Sequence, residues 1–354
     1  MAAILPQCGK SPLNGKFGNL VILTGQRHNK KARRHPTNQP PRCFMKLDRH
    51  WFSRALGLLA RQRLRRPGAG LPQFSSGVFH CGAGSRAYKL YVPSGYAGQP
   101  MPLLVMLHGC TQDPDDFAAG TQMNAVAEER GCLVLYPAQS PEANPSRCWN
   151  WFSALDQERG QGEPAIIAAM TRDIMAHFPV RQSQVYIAGL SAGGAMAVIA
   201  GTLYPDLFAA VGVHSGLPFA AARDLPSALY AMRLGAARAR AAQTAGQPII
   251  VFHGDRDNTV HPANGEEILA QGLRSHPQGE RANPATLAGR VPDGHAFTLK
   301  AHWLDDGSPL GEHWVIHGAG HAWSGGSAAG SYTDPRGPDA SREMMRFFSA
   351  ARSV

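Results

Sequence analysis

The sequence predicts an α/β fold: a mostly parallel central sheet flanked by helices, with a small helical cap insertion. Three observations predict it. Short apolar runs rich in β-branched residues recur at Pro102–Leu107, Leu133–Tyr136, Gln184–Ala188, Ala209–His214 and Gln247–Phe252. Segments with apolar residues at helical spacing, such as Glu163–Phe178, separate several of these runs, as parallel pairing through crossover helices requires. One strand-to-helix junction, between Gln184–Ala188 and Gly194–Ala200, carries Gly189-Leu190-Ser191-Ala192-Gly193.

Taken in order, residues 1–44 hold several prolines and Lys30-Lys31-Ala32-Arg33-Arg34, the composition of a disordered basic tail. Residues 45–66 intersperse Trp51, Phe52, Leu56, Leu59 and Leu64 with six arginines and end before Pro67-Gly68. They read as a basic amphipathic helix. It is suited to an anionic membrane or a hydrophobic granule, or is a solvated helix on its own domain; Met45 is an alternative start. Residues 67–354 form the catalytic domain. A hairpin is expected in Gly77–His80 and Arg86–Val92, and a second about Leu304-Asp305-Asp306-Gly307, which makes His302 and His313 strand residues. The Ala- and Arg-rich stretch 217–246 stands where a cap would be inserted, and further helices are expected at 262–273 and 338–350.

The formal charge of +10 is unevenly distributed. Residues 1–66 carry 15 Lys/Arg against one acid, Asp48, whereas the remainder carries 20 Lys/Arg against 24 Asp/Glu. The basicity belongs to the tail, so a nucleic-acid partner is not expected for the folded part. No run of 18 apolar residues occurs, so no membrane helix is expected. The six cysteines show no C-x-x-C spacing, which argues against zinc. Cys132 reads as a buried strand residue. Met1–Pro6 is too short an apolar stretch for a secretory leader, which leaves a cytoplasmic chain, or a start elsewhere, both open.

The chemistry centres on Ser191. Strand, G-x-S-x-G, helix is the context of a nucleophile held on a tight turn, where glycines avoid clashes and the serine backbone is strained. A serine hydroxyl needs a base, and the base an orienting carboxylate. In chain order these follow as Asp or Glu, then His. The loop after Ile249–Phe252 offers Asp255 and Asp257. Asp257 is preferred because Val260 resumes an apolar contact three residues on. Downstream stand His261, His276, His295, His302, His313, His317 and His321. His321 is preferred, because Gly318-Ala319-Gly320 places it on a glycine-flanked loop at a strand's carboxyl end. The oxyanion needs two N–H donors: Ala192, after the nucleophile, and Cys110, in the loop ending Pro102–Leu107. Cys110 as the nucleophile is weaker, since glycine flanks it on one side only. Trp149, Asn150 and Trp323 are candidate substrate contacts beside the triad. No metal and no organic cofactor is required.

Four segments, Leu107-His108-Gly109-Cys110-Thr111-Gln112, Cys148-Trp149-Asn150-Trp151-Phe152, Gly189–Met196 and Gly320-His321-Ala322-Trp323-Ser324-Gly325-Gly326, together resemble the poly(3-hydroxybutyrate) depolymerase family of esterases over about residues 73–350. The resemblance implies an α/β-hydrolase fold, hydrolysis of short-chain esters, a triad of Ser191, Asp257 and His321, and Cys110 at the oxyanion position. It also implies a Cys110–Cys148 disulfide and an extracellular setting, which sits against the missing leader. Because the family includes feruloyl and acetylxylan esterases, the substrate stays open among 3-hydroxyacyl esters or polyhydroxyalkanoate and plant polysaccharide esters. A reading of another class is a granule- or membrane-surface protein acting through residues 45–66.

Overall fold

The computed structural model describes residues 70–236 and 246–351. The basic tail, the helix expected over 45–66 and residues 237–245 of the expected cap lie outside the described residues. Among the described residues one sheet has ten strands: β1 (Gln73–Cys81), β2 (Gly84–Val92), β3 (Met101–Leu107), β4 (Leu133–Pro137), β5 (Val180–Leu190), β6 (Ala210–His214), β7 (Ile249–Gly254), β8 (Asn283–Arg290), β9 (Ala296–Trp303) and β10 (Pro309–Ile316). Their order is β1-β2-β4-β3-β5-β6-β7-β10-β9-β8. Strands β4, β3, β5, β6, β7 and β10 run parallel. The antiparallel pairs stand at the two edges.

The central strands are buried on both faces, as near-continuous apolar runs require. In β3, Leu103, Val105 and Leu107 enter one core, and Leu104 and Met106 enter the other. The first core is filled by α3 (Gly162–His177) and α4 (Ala192–Leu203), through Ile167, Met170, Ile174, Met196 and Ile199. Helices α5 (Leu225–Leu234) and α6 (Ala263–Ser275) add Ala228, Ala231, Ile268 and Leu269. The second is filled by α1 (Pro114–Thr121), α2 (Met123–Arg130) and α7 (Ala340–Ala350), through Phe117, Val126, Met344, Phe347 and Phe348. Phe348 stacks on Tyr186 with ring centroids 4.8 Å apart. The result is an α/β/α sandwich.

Most expected elements are present, with shifted ends. The strand before the G-x-S-x-G turn starts at Val180, and β7 runs on to Gly254. The described helix of the cap stretch is limited to α5, opened by Asp224 and Ser227 in a reciprocal capping box. Among the elements not expected are two helices and an edge strand. Helix α1 has readable start signals, an Asp113 cap and Pro114 at its first position, but ends at left-handed Gln122 instead of glycine. Helix α2 follows after one residue and is closed by Gly131 at φ 63°. Strand β8 is exposed at nearly every position. It has no alternation to read, and its conformation is set by pairing with β9.

Candidate active site

The parallel strands bring the candidate residues to one edge of the sheet, outside the strands' carboxyl ends, where α/β sheets place their ligands. Ser191 follows β5 directly and caps α4 with φ 56° and ψ −120°, a left-handed conformation costly for any residue but glycine. The motif's glycines have separate steric reasons. A Cβ on Gly189 would lie 2.4 Å from the Gly193 carbonyl carbon, and one on Gly193 would lie 2.1 Å from the Leu107 carbonyl oxygen. The turn is therefore folded onto itself and pressed against the end of β3. The Ser191 N–H donates to the His214 carbonyl at 2.9 Å, and the Ser191 carbonyl accepts the first helical bond from Ala195 at 2.9 Å.

Asp257 and His321 meet. Nδ1 of His321 lies 2.7 Å from Oδ2 of Asp257, although 64 positions separate them in the chain. The Asp257 side chain is fully buried and that of His321 is 12% exposed. The other Asp257 oxygen accepts the N–H groups of Thr259 and Val260 at 2.9 and 2.8 Å. Burial opposes the aspartate's charge. Hydrogen bonds from His253 and His321, the His321 charge and the Val260 N–H nevertheless hold its carboxyl well below the ordinary carboxylate range.

The His321 loop is fastened to the Asp257 loop by backbone. Asp255 N–H donates to Ile316 O at 3.1 Å and Arg256 N–H to Ala319 O at 3.0 Å. Gly254 is required for this contact, since a Cβ there would lie 2.3 Å from the Ala319 oxygen. Of the two glycines flanking the loop, Gly318 has φ +83°, whereas a Cβ on Gly320 would meet nothing within 4 Å.

The remaining candidates are placed elsewhere. Asp255 pairs with His317 at 2.9 Å and accepts the Gly318 N–H at 2.7 Å, on the exposed side of the loop. His295 pairs with Asp334 at 2.8 Å. His302 and His313 lie on β9 and β10, as the hairpin reading expected. His261 is exposed, and His276 caps the end of α6.

The loop after β3 packs against the Ser191 turn. Neither the Cys110 nor the Ala192 N–H donates to a protein acceptor among the described residues. Cys110 is joined to Cys148 by a disulfide across 38 positions. Its neighbour Thr111 has φ 68° and donates its N–H to Ser146 O at 2.7 Å. Gly109 N–H donates to the Gln112 side chain at 2.9 Å. His108 is buried with its pKa held down at about 4 by desolvation. Its Nδ1–H donates to Gly109 O at 2.8 Å, and its Nε2 accepts the Gln139 N–H at 3.1 Å.

Trp149 and Trp323 do not line a groove. Trp149 is fully buried and donates its indole N–H to His108 O at 3.1 Å. Trp323 is 1% exposed, packs edge-on against Phe117 and donates to Ser341 Oγ at 3.1 Å. As in most cores, the large rings serve packing while their polar atoms find protein partners. Asn150 is occupied internally. Its N–H and side-chain amide donate to the Glu163 carboxylate at 2.7 and 2.9 Å. Its side-chain oxygen accepts from Asn144 at 3.0 Å. The corrections at Trp149 and Asn150 share one cause: the Cys148–Asn150 segment braces the Cys110 loop, through the disulfide and the Trp149 bond to His108 O.

Two further histidines belong to the arrangement. His214 ends β6. Besides accepting the Ser191 N–H through its carbonyl, it accepts the Ser324 N–H on ring Nε2 at 3.0 Å. Burial holds its pKa down at about 3, so the ring stays neutral and able to accept. His253, near the end of β7, donates Nε2–H to Val260 O at 2.9 Å and stands 3.4 Å from Asp257 Oδ2. Asp257 thus lies between two imidazoles, one buried and one near the surface. A histidine closing an apolar strand at the nucleophile's edge of the sheet was the available signal for both.

The family model described as esterase PHB depolymerase matches residues 86–290. Poly(3-hydroxyalkanoate) depolymerase C of Paucimonas lemoignei is 33% identical over 243 residues, 65% of this chain and 57% of its own length. Feruloyl esterase B of Thermothelomyces thermophilus is 30% identical over 200 residues, 51% of this chain and 67% of its own. The chain therefore spans little more than half the length of the first of these relatives. Among solved structures, an acetyl xylan esterase from Aspergillus awamori superposes with a TM-score of 0.60 at 20% identity, covering 78% of this chain and 100% of that one. The fold is that of an α/β-hydrolase. With the Ser191 turn, the Asp257–His321 pair and the disulfide-held Cys110 loop on that fold, the chain belongs to the esterase PHB depolymerase family.

Proposed function

We propose that the protein is a serine carboxylesterase that hydrolyses 3-hydroxyacyl esters, from short esters and oligomers to polyhydroxyalkanoate, through an acyl-enzyme on Ser191. The observation that carries the reading is the contact between buried Asp257 and His321, whose following segment shares the His214 anchor with the strained Ser191 turn. His321 Nε2 takes the Ser191 Oγ proton as the oxygen attacks the ester carbonyl. Asp257 accepts the Nδ1–H, stays ionised and fixes the ring's tautomer. The tetrahedral oxyanion is held by the N–H groups of Cys110 and Ala192. Collapse expels the alcohol with the proton from His321. Water then attacks the acyl-enzyme by the same route in reverse order of roles, which releases the hydroxy acid and restores Ser191.

Replacing Ser191 with Ala and following a short p-nitrophenyl ester tests the chemistry; turnover at the parent rate overturns it. The substrate class rests on the Paucimonas lemoignei relative, which gives the longest match of the two described above. A feruloyl or acetylxylan ester is the alternative, supported by the feruloyl esterase relative. A panel of soluble 3-hydroxybutyrate oligomers, polymer film, methyl ferulate and acetylated xylan separates the two.

Contact with a granule or membrane surface through residues 45–66 is a further part of the proposal. Deleting residues 1–66 is expected to abolish sedimentation with polymer granules while leaving hydrolysis of soluble esters intact. Equal sedimentation of the two forms overturns it.

A further inference from the structure

We propose that Tyr332 is a specificity-determining residue whose ring is the wall against which the second unit of a 3-hydroxyacyl oligoester packs. The proposal rests on the oligoester reading given above.

Tyr332 occupies a backbone conformation that disfavours it. Its φ is 52°, in the left-handed region that glycine or asparagine enters at far lower cost. The residue is 47% exposed, so the ring does not fill the core. The hydroxyl lies 3.2 Å from Thr111 Oγ1, and the Thr111 hydroxyl is itself committed to the Cys110 carbonyl at 2.6 Å. Tyr332 is therefore the donor in a short chain, Tyr332 to Thr111 to Cys110. Thr111 is left-handed as well. Two strained residues thus touch each other beside the oxyanion position.

The strain is held in place by tight packing. Segment 326–333 lies on α1. Ser331 N–H donates to Asp116 Oδ1 at 2.8 Å, and Ser327 N–H to Gly120 O at 2.8 Å. A Cβ on Gly330 would lie 2.3 Å from Asp116 O, and one on Gly326 2.7 Å from Gly120 O. On its other side Tyr332 accepts the Trp323 N–H at 2.7 Å, two residues beyond His321. The residue stands between the loop that offers Cys110 and the segment leading away from His321.

Strained residues that the surrounding structure over-determines mark functional positions. Here the fold would be served by a smaller residue, and the chain instead holds a large aromatic ring, pinned at its hydroxyl and open to solvent. Such a ring gives apolar contact area with little rotamer freedom left to lose. The acyl part of an acetyl ester ends one methyl beyond the scissile carbonyl, whereas that of an oligoester continues, on this proposal along the Tyr332 rim.

The experiment compares the full chain with its Tyr332→Asn and Tyr332→Phe variants on linear 3-hydroxybutyrate trimer, p-nitrophenyl acetate and methyl ferulate. Asn fits the left-handed backbone and removes the ring. Tyr332→Asn is expected to raise KM for the trimer about five-fold more than KM for the acetate, with a thermal midpoint at or above the parent's. Tyr332→Phe, which keeps the ring, retains the parent's KM for the trimer. Tyr332→Gly substitutes for the Asn variant if that one folds poorly. A trimer-to-acetate KM ratio that stays constant overturns the proposal, as does a parent that cleaves the acetate through Ser191 but not the trimer. A shift confined to methyl ferulate overturns the substrate class. Activity that survives Ser191→Ala instead overturns the hydrolytic mechanism itself, so the two failures are distinguishable.

Discussion

Ser191 and His214 are joined by a 2.9 Å bond from the serine N–H to the histidine carbonyl, and the ring of the same histidine accepts the Ser324 N–H at 3.0 Å. The Ser191 turn and the segment that follows His321 are therefore fastened to one residue at the end of β6. On the proposed mechanism, this shared anchor holds the Ser191 hydroxyl and the His321 imidazole in register. His214→Gln, whose side-chain oxygen can still accept the Ser324 N–H, is expected to keep most of the parent's kcat. His214→Leu loses the acceptor and is expected to lower kcat about ten- to one-hundred-fold with less effect on KM. Steady-state kinetics of the two variants check this.

The two aspartates of the His253–Val260 loop are separated by their surroundings. Asp257→Asn is expected to cost about 10⁴ in kcat, because the ring loses its orienting acceptor. Asp255→Asn breaks an exposed pair with His317, which contributes little, and is expected to leave kcat near the parent's. Equal losses in the two variants would contradict the assignment.

Reduction of the Cys110–Cys148 disulfide is expected to free the loop that, on the proposed mechanism, aims the Cys110 N–H. Treatment with reductant, or Cys148→Ser, is expected to lower kcat about one-hundred-fold, the effect of losing one oxyanion donor. KM for a short p-nitrophenyl ester should change far less. Kinetics before and after reoxidation measure it.

His108, His214 and His313 are buried and neutral, with pKa values held at about 4, 3 and 3 by desolvation. Their unfolded values lie near 6.5. Between those limits the unfolded chain binds more protons than the folded one. Stability is therefore expected to be full above about pH 6.5 and to fall steadily as pH drops toward 4. Asp257 acts in the same direction lower down, its contribution being lost as pH falls below the ordinary carboxylate range. Both nitrogens of His313 are buried and have no hydrogen-bond partner among the described residues. His313→Leu is expected to flatten the slope and to raise stability at neutral pH by about 1 kcal/mol. Urea midpoints between pH 4 and 8 test both statements.

The motif's glycines can be sorted by space. Gly193→Ala drives a methyl into the Leu107 carbonyl and is expected to cost about 3 kcal/mol. Gly320→Ala, beside His321 but in open space, is expected to change stability by less than about 0.5 kcal/mol. Thermal or urea unfolding of the two proteins compares them.

Much of this protein was determined by local sequence. Ser191 between two glycines, after a β-branched strand and before an Ala-rich helix, defines its own turn, because backbone crowding at Gly189 and Gly193 admits no other residue. The parallel strands and α3, α4, α6 and α7 were equally legible, since continuous apolar runs and helical spacing reflect burial directly. Tertiary structure alone decided the rest. Asp255 and Asp257 differ by two positions in one loop, and three of the downstream histidines, His295, His317 and His321, each find an aspartate. Only the pairing of loops across strand ends brings Asp257 to His321 and leaves Asp255 with His317. The same holds for Trp149 and Trp323, whose composition suits a groove as well as a core, and for His214, His253 and Tyr332. Their partners lie on other strands and loops, at separations that no local pattern encodes.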